Sequence, residues 1–130
     1  MYDLSGKVAV VTGAGRHKGL GEAMASRLAA EGAAVVITDI GSAKGEQFSI
    51  DHIGTKNEMD EIVSKIKSAG GEASSIICDV LDELQVEAAV RHAVYTYGRL
   101  DIMVNNAGVG YLMTNILDLA QEDWDAVLSV

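Results

Sequence analysis

Gly13, Gly15, Gly19 and Gly21 lie close together between the apolar run Val8–Val11 and a stretch in which Leu20, Ala23, Met24, Arg27 and Leu28 recur at helical spacing. Glycine has no Cβ, so a turn built on these residues brings backbone N–H groups close to an anion. The helix that follows presents roughly half a positive charge at its N-terminus, which makes the junction an anion site suited to a pyrophosphate. Asp39 closes the next apolar run, 18 residues beyond Gly21. At that spacing a carboxylate accepts the ribose hydroxyls of an adenosine half. It also opposes a 2′-phosphate, because two unit charges about 4 Å apart repel by roughly 4 kcal/mol at an effective dielectric of about 20. These residues together point to NAD rather than NADP. Arg16 and Lys18 argue the other way, since cations in the turn either reach a 2′-phosphate from the opposite side or are solvated loop charges.

The remaining reactive side chains form no second centre. Cys78 is the one cysteine, so no intrachain disulfide can form, and its place in an apolar run suits a small core hydrophobe. His17, His52 and His92 share no metal-ligand spacing, and we expect no metal and surface or loop positions for all three. Nineteen acids against ten bases give a net charge of −9, which repels phosphate backbones and excludes nucleic acid as an expected partner. No apolar run approaches the ~20 residues of a membrane span. The beginning of the chain, with an acid at Asp3 and no basic leader, reads as cytoplasmic.

These groups need a scaffold, and strand and helix signals alternate along the whole chain. Hydrophobic residues make up 48% and charged residues 22% of the 130 residues, a globular balance that fits one domain over 1–130. The first strand is Val8–Val11, and the first helix runs over about 19–31 to Gly32. A second strand occupies 33–38. Residues 40–54 carry three glycines and no clear period, which marks a long loop. Thr55 and Glu58 resemble a capping box ahead of Met59, Ile62, Val63 and Ile66, which recur on one helical face. The third strand is expected at 73–78, and Asp82 with Gln85 resembles a second capping pair before the third helix. The fourth strand is expected at 100–104, a turn at 105–108, and a final helix over 118–130 with Trp124, Val127 and Leu128 on one side. Right-handed crossovers then give a parallel α/β sheet, and doubly wound topology orders it 3-2-1-4.

The chain resembles the short-chain dehydrogenases/reductases. TGAGR at 12–16, GLG at 19–21, the strand-ending Asp39, CDV at 78–80, GRLDIMVNNAG at 98–108 and EDWDAVLSV at 122–130 occur in the family's order over nearly the whole chain. The resemblance implies a Rossmann-type fold of which this chain is the first half. It also implies that Asp79 and Val80 flank the adenine, and that Asn106, Ala107 and Gly108 run past the adenosine ribose. With Gly13, Gly15, Arg16, Gly19, Leu20, Gly21, Asp39 and Ile40 they make the expected cofactor-binding set. Two departures stand out. The family spaces its glycines TGxxxGxG, whereas five residues separate Gly13 from Gly19 here, as though His17 and Lys18 had been inserted. Gly15 to Gly21 alone satisfies GxxxGxG, so either register of the turn is open. The loop at 40–54 is also longer than the family's usual link; it either borders the adenosine site or has no chemical part.

Family members reduce carbonyls or oxidise secondary alcohols with an Asn-Ser-Tyr-Lys set, in which a lysine four residues after the tyrosine lowers the phenol's pKa from about 10. Four residues after Tyr2, Tyr95, Tyr97 and Tyr111 stand Gly6, Arg99, Asp101 and Asn115, so no catalytic residue is expected in this chain. EDWDAVLSV resembles the segment that leads into the catalytic asparagine, and we expect the chain to stop one residue short of it. The implied function is NAD-dependent hydride transfer to or from a small-molecule carbonyl or alcohol, in a homo-oligomer, with this chain carrying the cofactor half. The alternative is a non-catalytic dinucleotide-binding or interaction module ending at Val130.

Overall fold

Val8–Val11 is buried along its whole length because it forms β1, an interior strand with a parallel neighbour on either side. The computed structural model describes residues 2–44, 49–110 and 113–130. Among them the strands are β1, β2 (Ala34–Asp39), β3 (Glu72–Ile77) and β4 (Ile102–Val104), all parallel, in the order β3-β2-β1-β4. Helices α1 (Leu20–Ala30), α2 (Lys56–Ser68), α3 (Glu83–Tyr97) and α4 (Gln121–Ser129) alternate with them. This is the expected doubly wound half-fold in the expected strand order.

Successive side chains of a strand point to opposite faces, and both faces of β1 and β2 are covered, which is why these two strands read as continuous apolar runs, whereas β3 and β4 are only partly buried. Ala9, Val11, Val35 and Ile37 pack with Ala25 and Ala29 of α1 and with Met59, Ile62 and Ile66 of α2. Val8, Val10 and Val36 face the other way, onto Ala93 of α3. The sheet is thereby held rigid between two layers, with the C-terminal ends of its strands aligned at one edge.

Local signals set most of the boundaries. Thr55 caps α2 in a full capping box, its hydroxyl accepting from Glu58 N while the Glu58 carboxylate accepts from Thr55 N. Asp82 caps α3 by accepting from Leu84 N and Gln85 N. Gln85 departs from the capping-pair expectation: its amide donates to the Asp82 side chain and its oxygen accepts from Asp79 N.

Strand β3 runs Glu72–Ile77 rather than 73–78 and β2 ends at Asp39 rather than at 38, and three further starts move with a visible cause. Strand β2 begins at Ala34 rather than at 33, because Ala33 N bonds back to Leu28 O and belongs to the end of α1. Strand β4 begins at Ile102 rather than at 100, since the Asp101 side chain accepts from Val8 N at 3.0 Å where a strand carbonyl would otherwise pair. Helix α4 begins at Gln121 rather than at 118, because residues 115–118 close a separate turn through Asp118 N to Asn115 O. The loop at 40–54 carries no helix or strand in its described part, and residues 45–48 lie outside the described residues.

Candidate cofactor-binding site

The strand ends open on a cleft of roughly 560 Å³, within the range of about 300–1,000 Å³ common to small-molecule sites. It lies where the order of the strands reverses, between β1 and β4, which is where open α/β sheets bind ligands.

The turn after β1 forms one wall. Gly13 sits at φ +62, and a Cβ there would fall 2.7 Å from Ala107 Cα, so this residue is required both by its backbone angle and by the approach of the NNAG turn. That turn is stitched to β1 by Thr12, whose hydroxyl accepts from Asn106 N at 3.1 Å and Ala107 N at 3.0 Å. The Asn106 amide donates to Thr12 O at 2.9 Å and Gly13 O at 3.0 Å. Gly21 packs the start of α1 against Ala14 and Gly13, where a Cβ would come within 2.6 Å of backbone. Gly19 is different: only Arg16 lies within 4 Å of a Cβ built there, so its face looks into the cleft. Gly19 is also the N-cap of α1 and offers no side-chain cap, whereas α2 and α3 both have one; Ala120 at the start of α4 offers none either but does not border the cleft. The first-turn N–H groups of α1 are left for an anion.

Asp39 and Ile40 from the end of β2 form the facing wall. The Asp39 carboxylate accepts from Gly15 N at 3.0 Å through Oδ2 and from Ile40 N at 2.9 Å through Oδ1. Both oxygens keep acceptor capacity for ligand hydroxyls. Asp79 and Val80 follow β3, and Gly108 completes the side after β4. Asp79 is buried, yet its Oδ2 holds Lys44 Nζ at 2.5 Å and its Oδ1 accepts from Leu81 N at 3.0 Å. Burial pushes its carboxyl up; the Lys44 and Leu81 bonds outweigh that and leave it below the usual carboxylate value. Burial pushes the neighbouring Cys78 thiol up; the residue is buried, as expected, but it borders the cleft and joins neither core cluster.

All of the expected site residues border this cleft except Gly15. It is buried behind the wall, where a Cβ would fall 2.7 Å from Asp39 Cβ and Met59 Cγ, and it acts on the cleft only through Asp39. His52 and Ile53 line the cleft without having been expected there. They arrive because the loop folds back: Gly41 N donates to Gly54 O at 3.0 Å, and Gly41 bridges Thr55. Gly54 then rests on the glycine turn so closely that a Cβ would lie 2.4 Å from Gly15 C and 2.7 Å from Asp39 Oδ2. Of the two readings left open for the loop, it borders the site. The glycines at 41 and 54 are the signal, but periodicity names no partner for them.

The histidines are loop or helix residues with protein partners: His17 meets Glu61, Ser49 meets His52, and Ser74 meets His92. Among the described residues no group of three or more His, Cys, Asp or Glu is placed to hold a metal ion, and no helix is long and apolar enough to cross a membrane. Tyr111 lies outside the described residues.

A sequence model of short chain dehydrogenases matches residues 7–130. Among curated proteins, the short-chain reductase NovJ of Streptomyces niveus is 42% identical over 123 residues, which cover 95% of this chain and 40% of that protein. Among solved structures, carveol dehydrogenase from Mycobacterium avium in complex with NAD superposes with a TM-score of 0.87 at 32% identity, covering 99% of this chain and 45% of that one. A metagenomic short-chain oxidoreductase in complex with NADP gives a TM-score of 0.77 at 35% identity, covering 98% of this chain and 50% of that one. The chain therefore spans half or less of the length of each of these relatives.

Proposed function

This chain belongs to the short-chain dehydrogenase/reductase family, and on that premise we propose that it is the NAD-binding half of an oxidoreductase acting on a small carbonyl or secondary alcohol. The observation that carries the reading is the pairing of an uncapped α1 N-terminus with the Asp39 carboxylate across one cleft. The residues fit a dinucleotide. The turn at Gly19, Leu20 and Gly21 supplies N–H donors for a pyrophosphate, and Asp39 supplies acceptors for the adenosine ribose hydroxyls. Asp79 and Val80 border the adenine end, and Asn106, Ala107 and Gly108 support the middle of the cofactor. When bound, the nicotinamide accepts or delivers the hydride. The chain's own residues bind and orient it; no tyrosine among 1–130 is followed by lysine four residues on.

The preference for NAD over NADP rests on Asp39. Solved relatives occur with either cofactor, and Arg16 and Lys18 line the same cleft. The Asp39 carboxylate, held by the N–H groups of Gly15 and Ile40, would oppose a 2′-phosphate by like charge. In the Asp39→Ser variant, NAD affinity falls by about tenfold or more, the equivalent of one charge-assisted hydrogen bond, while NADP affinity rises. Unchanged affinity for both cofactors would contradict the assignment of Asp39.

A further inference from the structure

Glu22 is a carboxylate with 6% exposure in the first turn of α1, beside the N–H groups assigned above to a pyrophosphate. A fixed negative charge there competes with the ligand unless it serves another purpose. In an ordinary capping box the residue at this position accepts from the N-cap N–H. Glu22 reaches one residue further back and accepts from Lys18 N at 2.6 Å. Lys18 is held at φ +61, in the left-handed region that side chains other than glycine seldom occupy. The other carboxylate oxygen holds Lys65 Nζ of α2 at 2.8 Å. His17 Nδ1 stands 3.8 Å from that same oxygen, and His17 Nε2 meets Glu61 of α2 at 2.8 Å.

The segment that lengthens the glycine turn, His17 and Lys18, is thus the segment tied to α1 and α2 by these charges. We propose that Glu22 is a positioning residue: together with Lys65 and the His17–Glu61 pair it holds the lengthened turn against α2, leaving the first-turn N–H groups of α1 free for the cofactor's pyrophosphate. The proposal rests on the reading of the cleft as a nicotinamide dinucleotide site. The Lys65 bond, with help from Lys18 N and the charges of Lys65 and His17, keeps the Glu22 carboxyl ionised below its usual range despite burial. The Glu61 bond holds the His17 ring charged above its usual value. The charged and titratable groups facing His17 are Glu22 from α1 and Glu58, Glu61 and Lys65 from α2, with Arg16 and Lys18 on its own turn. Loss of the His17 proton removes the positive charge between Glu22 and Glu61, which loosens the turn and adds net negative charge near the phosphate.

The test is calorimetric titration of the full polypeptide with NAD at several pH values between about 6 and 9, in wild type, Glu22→Gln, Glu22→Ala and His17→Gln. Wild-type Kd rises about two- to fivefold across that range, the scale of one exposed ion pair. Glu22→Ala raises Kd about tenfold at the low end. Glu22→Gln, which keeps an acceptor for Lys18 N, recovers part of the loss, and His17→Gln removes the pH step. A pH step that survives in His17→Gln overturns the role of His17 in the clamp. If Glu22→Ala does not fold, Glu22→Gln and His17→Gln carry the comparison. NAD binding by wild type, with Kd and pH profile unchanged in these variants, overturns the proposal while leaving the cofactor site standing. No uptake of NAD by wild type at any pH defeats the cofactor site itself.

Discussion

Gly54→Ala isolates the part of the site that the returning loop contributes. The new methyl would lie 2.4 Å from Gly15 C, 2.5 Å from Gly15 Cα and 2.7 Å from Asp39 Oδ2, and two of these three atoms are backbone. Ordinary contact begins at about 3.5 Å, so Gly15 and Gly54 must separate by about 1 Å. Gly54 is tethered by Gly41 N to its carbonyl at 3.0 Å, and Gly15 by its own N–H to Asp39 Oδ2 at 3.0 Å. A shift of that size stretches one of the two bonds past hydrogen-bond range. The Asp39 bond is the charged one, and losing it costs about 1.5–3 kcal/mol, beside about 1–3 kcal/mol for overpacking. Asp39 then no longer faces the ribose as placed, and NAD affinity falls about 10- to 150-fold. Calorimetry with NAD measures this directly. Gly70→Ala serves as the control, because Gly70 is at φ +90 with nothing within 4 Å of a Cβ. It lowers stability by about 1–2 kcal/mol and leaves NAD affinity alone. A folded Gly54→Ala variant that binds NAD as tightly as wild type would refute the claim that the loop backs the adenosine site.

Two further outcomes follow from the junction of β1 with β4. Asn106→Ala strips the amide from the partly buried carbonyls of Thr12 and Gly13; stability in urea falls by about 1–3 kcal/mol and NAD affinity falls with it, and an unchanged unfolding midpoint would show the stitch to be dispensable. Asp101 is held below its usual carboxyl value chiefly by the Arg99 bond, with Val8 N and Lys7 assisting. Its folded pKa is depressed, so its contribution to stability is complete above the unfolded value near 3.8 and disappears as pH falls through the folded value. Urea unfolding followed from about pH 5 to about pH 2 therefore shows a smaller acid loss in Asp101→Asn than in wild type, and identical acid limbs would contradict it.

The fold was legible wherever one residue type had one physical use. The run Val8–Val11 announces an interior parallel strand because apolar side chains on both faces need two covering layers, and Ala25 with Met59 on one side and Ala93 on the other supply them. Thr55 with Glu58, and Asp82 before Leu84, announce helix starts because they bond to neighbours a few residues away. Long-range replacements were not legible. Nothing in the spacing says that Asp101 will take the ladder position opposite Val8, or that Asn115 will close its own turn before α4. The same limit applies to the site. The glycine turn and Asp39 are read from their distance apart, but which glycine faces the ligand depends on what packs behind each one. Gly15 is claimed by Asp39 and Met59, and Gly19 is left to the cleft. The return of Gly54 onto Gly15 rests on tertiary packing that no local pattern encodes.

The most direct test of the central claim is a calorimetric titration of the full polypeptide with NAD, NADP and ADP-ribose. NAD is expected to bind at one site per chain, ADP-ribose comparably because the proposed contacts lie on the adenosine diphosphate half, and NADP more weakly because of Asp39. Failure of a folded sample to take up any of the three would contradict that claim.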